Sequence, residues 1–212
     1  MPTLTQHRFT AEDRKQQILH VATDLFASRG FDGTTTREIA RRAKVNEAII
    51  FRHFPTKEDL YWAVIEAKCA AKAGRQLLQS ILEAGTEVRT TFVTLGETLL
   101  RRREADPSLM RLLLFSALEN HRLSQRFFRT YMADYYDLLA EYIRHRIDMG
   151  EFRKVDAQFA ARGFLGMFVY HSMVQDIFGA KRFQSFDHRQ VAEQLTDIWL
   201  KGMLTDQDRV QP

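Results

Sequence analysis

The sequence is poor in cysteine and proline, with one cysteine and four prolines among 212 residues. A single cysteine, Cys69, cannot form a disulfide within the chain, which agrees with a reducing compartment. We expect it to be a small buried residue, because no histidine partner or helix start is suggested nearby. The N-terminus is polar, and no run of about 18 apolar residues follows anywhere. We therefore expect a cytoplasmic protein with no membrane partner.

Motifs that mark enzymes are also missing. The sequence contains no P-loop, no GxSxG, no HExxH and no pair of cysteines. A di-iron centre in a helical bundle needs Glu-x-x-His pairs, and "ENH" and "EYIRH" have the wrong spacing. We expect no enzymatic activity, no cofactor and no metal site.

Strand patterns are lacking too, since no segment alternates apolar and polar residues for long. The sequence therefore predicts an all-α protein of about nine helices. The first runs over 11–29, the second follows Thr35, the third follows Asn46, and the fourth runs from Thr56 to about residue 80. The others are expected near 86–104, 107–119, 123–149, 156–178 and 187–202.

Several helix ends have recognisable capping residues. Gly30 follows the first helix where a C′ residue belongs. Thr35 with Glu38 predicts a capping box, and Asn46 and Thr56 are favoured N-cap residues. The segment 107–119 is apolar nearly all round, which predicts a central buried helix.

Positive charge is concentrated at the N-terminal end of the chain. Residues 1–57 contain ten Lys/Arg and six Asp/Glu, which accounts for the whole formal charge of +4. The remaining residues are neutral overall. This distribution is typical of a chain whose first part meets a polyanion.

The stretch "VNEAIIFRHF" at 45–54 carries more apolar surface than one core can cover. At about 100° per residue, Ile50 and Phe54 share a helix face, while Ile49 and Phe51 lie on opposite flanks. Three short helices with a four-residue turn before the last fit a helix-turn-helix, whose final helix enters the major groove of DNA. Lys57 begins the next helix, where the macrodipole disfavours a cation unless a phosphate binds there; the alternative is a solvated lysine.

Residues 14–60 resemble the N-terminal domain of TetR-family transcriptional regulators. The shared features are an apolar stripe, "LF", "GF", "TT", "IA", a turn, an aromatic recognition helix with "HF", and Lys-Glu before Leu60. The resemblance implies a helix-turn-helix DNA-binding domain at 1–57. It also implies a larger helical domain at 58–212 that binds a ligand and dimerises.

The resemblance assigns roles to matching positions. Thr36 and Arg37 look like phosphate and base-edge contacts, and the mini-core comprises Ile39, Ala40, Val45, Ile50 and Phe54. The expected DNA-binding residues are Thr36, Arg37, Lys44, Glu47, Ala48, Ile49, Phe51, Arg52, His53 and Lys57. Among them Glu47, Ala48, Ile49 and Arg52 match groove-facing positions, and Phe51, His53 and Lys57 match backbone-contacting ones. Physically, Arg bridges guanine O6 and N7, and Glu accepts from cytosine N4. Solvated arginines and a helix-start role for Glu47 are the alternatives.

Three positions depart from the family pattern. Lys44 stands where family members usually have Gly, because that turn position favours φ > 0, so strain of roughly 1 kcal/mol is expected. Phe51 stands where Tyr is usual and has no hydroxyl to bond a phosphate. Ile49 stands where a small or hydroxylated residue is common.

The larger domain is rich in aromatic residues at helical spacing. Family members hold a ligand cavity between such helices, which favours an apolar or aromatic small-molecule effector, although core packing is the alternative for each residue. The expected pocket residues are Trp62, Phe92, Met110, Phe115, Phe127, Tyr131, Tyr135, Phe164, Met167, Phe168 and His171. His171 is the first polar candidate, and a satisfied core histidine is its alternative.

The last two long helices have the features of a dimer interface. Small residues permit close helix approach, and apolar side chains lie between them. The expected interface residues are Ala160, Gly163, Gly166, Val191, Leu195, Ile198 and Trp199. A homodimer would place two recognition helices on two half-sites of a palindromic operator; packing within the chain is the alternative.

These observations together predict a homodimeric regulator that binds double-stranded DNA and is released from it by a small molecule. Repression is the favoured direction of control. An activator and an architectural DNA-binding protein without a ligand are the alternatives.

Overall fold

The computed structural model describes residues 10–69, 71–119 and 122–205. The prediction of an all-α protein is confirmed: across these residues the strand-like pairing is limited to an isolated bridge between Phe152 and Leu204. The helices are α1 (Ala11–Arg29), α2 (Thr36–Arg42), α3 (Glu47–His53), α4 (Lys57–Cys69), α5 (Ala71–Glu83), α6 (Val88–Ala105), α7 (Ser108–Leu118), α8 (Arg122–Phe127), α9 (Ala133–Asp148), α10 (Ala157–Ser172) and α11 (His188–Met203). None of these described helices is both long enough and apolar enough to cross a membrane.

Two predicted helices differ in detail from the observed ones. The fourth, expected to reach about residue 80, corresponds to α4 and α5, and residue 70 between them lies outside the described residues. The predicted helix 123–149 contains a π-helical turn, Phe128–Met132, between α8 and α9. A second π-helical turn, Met173–Ile177, continues α10. π-Helical turns of this kind are rare in proteins, and those that occur often lie at functional sites.

The helix starts follow the predicted capping residues, with one difference. The Asn46 side chain accepts the Ala48 N–H at 2.9 Å, and the Thr56 hydroxyl accepts the Asp59 N–H at 3.0 Å. The Thr35 hydroxyl accepts the Glu38 N–H at 3.2 Å. The Glu38 carboxylate, however, binds an arginine rather than closing the predicted capping box.

The prediction that helix 107–119 is centrally buried is wrong. Within α7 the buried residues are Leu112 and Ser116, and Leu118 is 83% exposed. Apolar residues all round a helix show that several faces can be covered. Here the described chain fully buries one face, and the other apolar residues of α7 are half-buried or exposed. Cys69, expected to be buried, is half-buried at the end of α4.

The described chain divides into two compact units. The first contains residues up to Cys69 together with Arg111–Ser124, and the second contains Ala70–Met110 and residues from Gln125 onward. The compact units are therefore drawn differently from the predicted functional boundary at residue 57, which stays a prediction.

The first unit is built around α1 and α4. Phe26 and Tyr61 are fully buried, and their rings meet edge to face with centroids 4.8 Å apart. Phe31 packs edge-on against the same tyrosine at 5.4 Å. Aromatic pairs in this geometry add stability beyond the area they bury, so α2 and α3 rest on a rigid support.

The second unit has an aromatic centre supplied by α6, α10 and α11. The Phe92 ring lies 4.9 Å from Phe164 and 4.6 Å from Trp199, measured between ring centroids. Gly96 lets the Phe168 ring approach α6, since a Cβ at that position would lie 2.4 Å from a ring carbon. Arg89 and Asp197 join α6 to α11 through N–O distances of 2.7 and 3.0 Å.

Candidate nucleic-acid interface

The apolar residues of the recognition helix α3 lie on the faces that the helical spacing predicts. Ile50 is 0% exposed and Phe54 is 4% exposed, so they form the inward face. Burying one such side chain stabilises the fold by about 1.5–3 kcal/mol, which fixes the roll of this short helix. Ile49 is half-buried, and Phe51 is 44% exposed. The surplus apolar surface of α3 therefore faces away from the core.

The turn between α2 and α3 has the strained residue that the sequence predicts. Lys44 has φ of 52° and is the one non-glycine residue with a positive φ among the residues described. The turn is closed by a hydrogen bond from the Val45 N–H to the Ala40 carbonyl oxygen at 3.0 Å. The Lys44 side chain is exposed beside the recognition helix.

The arginines of this unit fall into two groups. Glu38 binds Arg29 through both carboxylate oxygens at 3.0 and 2.8 Å, and Arg42 lies 3.4 Å from the same carboxylate. Arg37 and Arg52 are exposed and form no ion pair with the described residues. Their charges are therefore available to an external anion.

Thr36 and Glu47 meet at the surface where α2 and α3 begin. The Thr36 hydroxyl donates to Oε1 of Glu47 at 2.5 Å, and both side chains are half-buried. Ala48 follows Glu47 as an exposed residue with little bulk. The hydrogen bond joins two residues to which the sequence alone gave separate roles.

Lys57 makes an internal contact that the sequence did not predict. Its Nζ lies 4.2 Å from the centroid of the Phe31 ring. Burial lowers the pKa of Lys57, while the carboxylates of Asp32 and Glu119 raise it. The side chain is half-buried. The Lys57 side chain therefore packs within the protein, and it would have to change conformation to bind a phosphate at the start of α4.

His53 closes the recognition helix in a partly enclosed position. The residue is half-buried, and its Nε2 is buried without a hydrogen-bond partner among the described residues. A ring nitrogen in this state lacks a hydrogen bond, and because it is buried, the ring would have to turn outward before a phosphate oxygen could accept from it. The backbone-contacting role that the resemblance implies for His53 therefore stays a prediction.

Within the first unit, the segment 111–119 is held against α1 and α4 by polar contacts. The Tyr61 hydroxyl donates to the Leu112 carbonyl oxygen at 2.6 Å, and Arg111 Nε donates to the Ala27 carbonyl oxygen at 2.8 Å. The Glu119 carboxylate accepts the Phe31 N–H at 3.0 Å. Sequence reasoning missed these contacts because each joins residues more than 50 positions apart and has no local signal.

The predicted effector residues are divided between the two units. Trp62 and Phe115 belong to the first unit and the others to the second. Phe92, Phe164 and Phe168 are fully buried and pack on one another as core. Phe127 is also buried, with its ring 5.5 Å from Tyr131. Trp62 is buried as well, at 6% exposed. The other six members are half-buried: Met110, Phe115, Tyr131, Tyr135, Met167 and His171.

His171 lines a polar cleft of about 50 Å³ in the second unit. Burial lowers the pKa of His171, nearby His188 lowers it further, and Asp176 opposes both. His188 lies 3.4 Å from Glu104, and Lys181 lies 2.8 Å from Asp176. The other lining residues are Leu100, Ser172, Gln175, Ser185 and Phe186. His171 is therefore set among charged groups, not only among aromatic ones.

An apolar stripe is exposed along α10 and continues on α11. Phe159 is 76% exposed and Tyr170 is 63% exposed, and Gly163 and Gly166 lie between them with open space where a Cβ would be. On α11, Ile198 is 63% exposed. These five residues define the α10–α11 stripe.

The other predicted interface residues are engaged within the chain. Ala160 and Val191 are each 7% exposed, and Leu195 is half-buried. The Trp199 indole N–H donates to the Ala160 carbonyl oxygen at 3.2 Å, and its ring packs on Phe92. Trp199 therefore packs within the chain and is half-buried, and its place in a dimer interface stays a prediction.

Two family models match the chain. Residues 18–64 match the bacterial regulatory proteins of the tetR family, and residues 91–202 match the C-terminal domain of AefR-like transcriptional repressors. The second match alone covers more than half of the 212 residues.

Among curated proteins, a similar relative is the HTH-type transcriptional repressor Rv3405c of Mycobacterium tuberculosis, 51% identical over 55 residues. The aligned part is 26% of this chain and spans 29% of the length of that relative. The similarity is therefore local, and Rv3405c informs on one part of this chain.

Solved structures share the fold over most of the chain. The regulator FadR from Bacillus subtilis, in complex with stearoyl-CoA, has a TM-score of 0.71 at 17% identity and covers 88% of this chain and 98% of its own. AibR, in complex with isovaleryl coenzyme A and operator DNA, has a TM-score of 0.67 at 21% identity and covers 87% and 97%. At these identities the likeness concerns the fold.

The matches agree with the geometry: a helix-turn-helix on a buried core, arginines beside it that form no ion pair with the described residues, and an all-helical second unit. The matched families and neighbours are transcriptional regulators. The chain therefore belongs to the TetR family of bacterial regulatory proteins.

Proposed function

We propose that this regulator is a repressor that binds a palindromic operator as a homodimer and leaves it when a small molecule binds. The observation that carries the proposal is the pair of exposed arginines, Arg37 and Arg52, next to a recognition helix whose roll is fixed by Ile50 and Phe54. Exposed arginines next to a helix of fixed orientation are suited to binding DNA and recognising its base sequence. The protein acts in the cytoplasm, where bacterial operators lie, and catalyses no reaction.

The DNA contacts are proposed from exposure and charge. Arg37 and Arg52 reach phosphates or guanine edges, and Lys44 adds charge from the turn. Ile49 and Phe51 supply apolar surface for thymine methyl groups and the sugar backbone. His53 and Lys57 are the phosphate contacts at the far end of α3 and the start of α4. Lys57 leaves the Phe31 ring to do so.

Homodimerisation is supported by the α10–α11 stripe. Large exposed apolar residues next to glycines that expose backbone suit close helix packing against a second copy. One helix as short as α3 reads few base pairs, and a twofold dimer doubles the number. A dimer would thereby cover the exposed stripe and read enough base pairs for specific binding.

An apolar or aromatic effector is supported by the second unit. Tyr131, Tyr135, Met167 and His171 are half-buried there and combine apolar surface with a few polar groups, as ligand pockets do. FadR and AibR were crystallised with acyl-CoA molecules. Acyl-CoA thioesters of long and short chain length are therefore the first effectors to test.

The proposed signal route runs through the first unit. The chain leaves this unit after α4 and returns to it at Arg111. Tyr61, Arg111 and Glu119 fasten the returning segment to α1 and α4. A ligand that favours one conformation of the second unit would reposition α4 and α7, and with them the recognition helix, by its differential affinity for the two states.

The test starts from a selection for bound DNA sequences, followed by affinity measurements across a salt series. We expect a palindromic site and an affinity that falls steeply with salt, because phosphate contacts release counterions. Adding an acyl-CoA should release the operator, and a reporter behind the operator should be repressed. A flat salt dependence with no selected sequence would refute operator binding, and a reporter that rises with the protein would indicate an activator.

Alanine variants separate the two kinds of contact. Lys57→Ala should weaken binding to all sequences alike and lower the salt slope by about 1, because it removes one phosphate contact. Arg37→Ala should instead relax discrimination at one base pair, costing about 1–3 kcal/mol there. Binding curves on the selected site and on point-substituted sites measure both effects. The opposite pattern would reverse the two assignments.

A further inference from the structure

Thr36 and Glu47 occupy equivalent places at the starts of two adjacent helices. Thr36 is the first residue of α2, and Glu47 is the first residue of α3. The Thr36 hydroxyl donates to Oε1 of Glu47 at 2.5 Å. This is the short distance of a charge-assisted O–H···O⁻ hydrogen bond.

The hydrogen bond restrains a side chain that would otherwise be mobile. Glutamate loses considerable rotamer freedom when it is ordered, whereas threonine is stiff at χ1 because it is β-branched. Holding Oε1 on the stiff partner fixes the direction of the carboxylate. Oε2 makes no hydrogen bond to the described residues and can accept two.

A fixed carboxylate on a DNA-facing surface needs a compensating donor. Phosphates repel it, and in the major groove the base donors are cytosine N4 and adenine N6. On adenine the donor lies beside the acceptor N7, which repels a carboxylate, whereas the exposed edge of cytosine carries the N4 donor alone. Of the four bases, cytosine is the one that Glu47 favours.

We propose that Thr36 and Glu47 form one reading unit, in which Oε2 of Glu47 accepts from N4 of a cytosine in each half-site and Thr36 is a positioning residue. The proposal rests on the proposed binding to an operator. It also changes the role of Thr36: its hydroxyl proton is committed to Glu47 and is not donated to a phosphate.

The experiment first compares the sequence preferences of four proteins: the wild type and the Glu47→Gln, Thr36→Val and Thr36→Ser variants. Each is put through selection for bound DNA and then measured on the selected site and on sites with each base substituted. We expect the wild type to prefer cytosine at one position by roughly tenfold, the value of one hydrogen bond to a charged group. Glu47→Gln should shift that position toward adenine, which a glutamine amide binds through N6 and N7.

The Thr36 variants decide the positioning role. Thr36→Val keeps the shape and removes the hydroxyl, so most of the cytosine preference should be lost while affinity for the substituted sites stays the same or rises. Thr36→Ser keeps the hydroxyl and should keep the preference. In a Glu47→Ala background, Thr36→Val should change the sequence preference no further, because Thr36 acts through the carboxylate of Glu47.

Two results would overturn the proposal. If Thr36→Val weakens binding to every sequence equally, Thr36 is a phosphate contact; if the variant keeps the cytosine preference, Glu47 needs no positioning. A wild type that selects no sequence at all would instead refute operator binding itself, so the two failures are distinguishable. Circular dichroism melting of each variant checks that the fold is retained.

Discussion

Lys44 is a single residue whose backbone conformation could be predicted from the sequence. The family pattern favours Gly there because the turn needs φ > 0, and the structure gives Lys44 φ of 52°. Placing a side chain in the left-handed region destabilises the folded state by roughly 1–2 kcal/mol. Glycine avoids this cost, but its greater freedom in the unfolded chain lowers the free energy of unfolding by roughly 0.4–1 kcal/mol. The first effect is the larger, so the residue is a source of strain.

We predict that Lys44→Gly stabilises the protein by roughly 0.5–1 kcal/mol, the balance of those two effects. The measurement is the urea midpoint at fixed protein concentration, since a dimer's midpoint depends on concentration. Lys44→Ala is the matched control, because it removes the charge and keeps the strained φ. A glycine variant no more stable than the alanine variant would contradict the prediction.

For single residues, the sequence predicts helix caps and turns, and it misses contacts between residues in different helices. Asn46 and Gly30 were predictable because caps and turns depend on neighbouring residues. The Thr36–Glu47 hydrogen bond was not, although both residues were singled out. It depends on how α2 lies against α3, which periodicity does not determine.

Glu119 illustrates how one element is fastened to another. The residue follows α7, and its carboxylate accepts the Phe31 N–H just beyond the end of α1. Gly30 makes the approach possible: its φ is 74°, and a Cβ there would lie 2.1 Å from Glu119 Oε1. The end of α1 is thus shaped to receive a side chain from residue 119.

We predict that Glu119→Ala destabilises this contact and speeds hydrogen exchange at the Phe31 amide. Leaving a partly buried N–H without its acceptor costs about 1–3 kcal/mol. The matched control is Glu119→Gln, whose amide oxygen still accepts one hydrogen bond and should give an intermediate rate. Hydrogen exchange followed by NMR measures the amide directly. Equal rates in the alanine variant and the wild type would show that the contact does not hold the segment.

The helices themselves were largely predictable and their exposure was not. Apolar spacing located α6, α10 and α11 to within a few residues. The same spacing wrongly placed α7 in the centre, since Leu118 is 83% exposed. Apolar composition states how much surface a helix can bury, and the surrounding elements decide how much of it is covered.

For the whole molecule, the α10–α11 stripe is the surface that supports the proposed homodimer. The α10–α11 stripe exposes Phe159, Tyr170 and Ile198 around backbone left open by Gly163 and Gly166. Sequence reasoning predicted the glycines, Ile198 and Trp199 for the interface. The Trp199 indole packs within the chain against Ala160 and Phe92 and is half-buried, whereas Ile198 is 63% exposed. We therefore expect Ile198 to be the anchor of the proposed dimer.

We predict that Ile198→Glu converts the proposed dimer to a monomer at micromolar concentration and weakens operator binding. A buried anchor at the centre of an interface is worth about 2 kcal/mol or more, and an unpaired buried carboxylate adds a further penalty. Sedimentation velocity measures the oligomeric state, and titration of the palindromic site against an isolated half-site measures the effect on DNA binding.

Leu118→Glu is the matched control, because Leu118 is an exposed apolar residue outside the stripe. It should leave both the sedimentation coefficient and the operator affinity near those of the wild type. If the Ile198 variant remains a dimer, another surface joins the two copies. If it becomes a monomer yet binds the palindrome as tightly as the wild type, the two half-sites are not read by one dimer, because a monomer gains nothing from the second half-site.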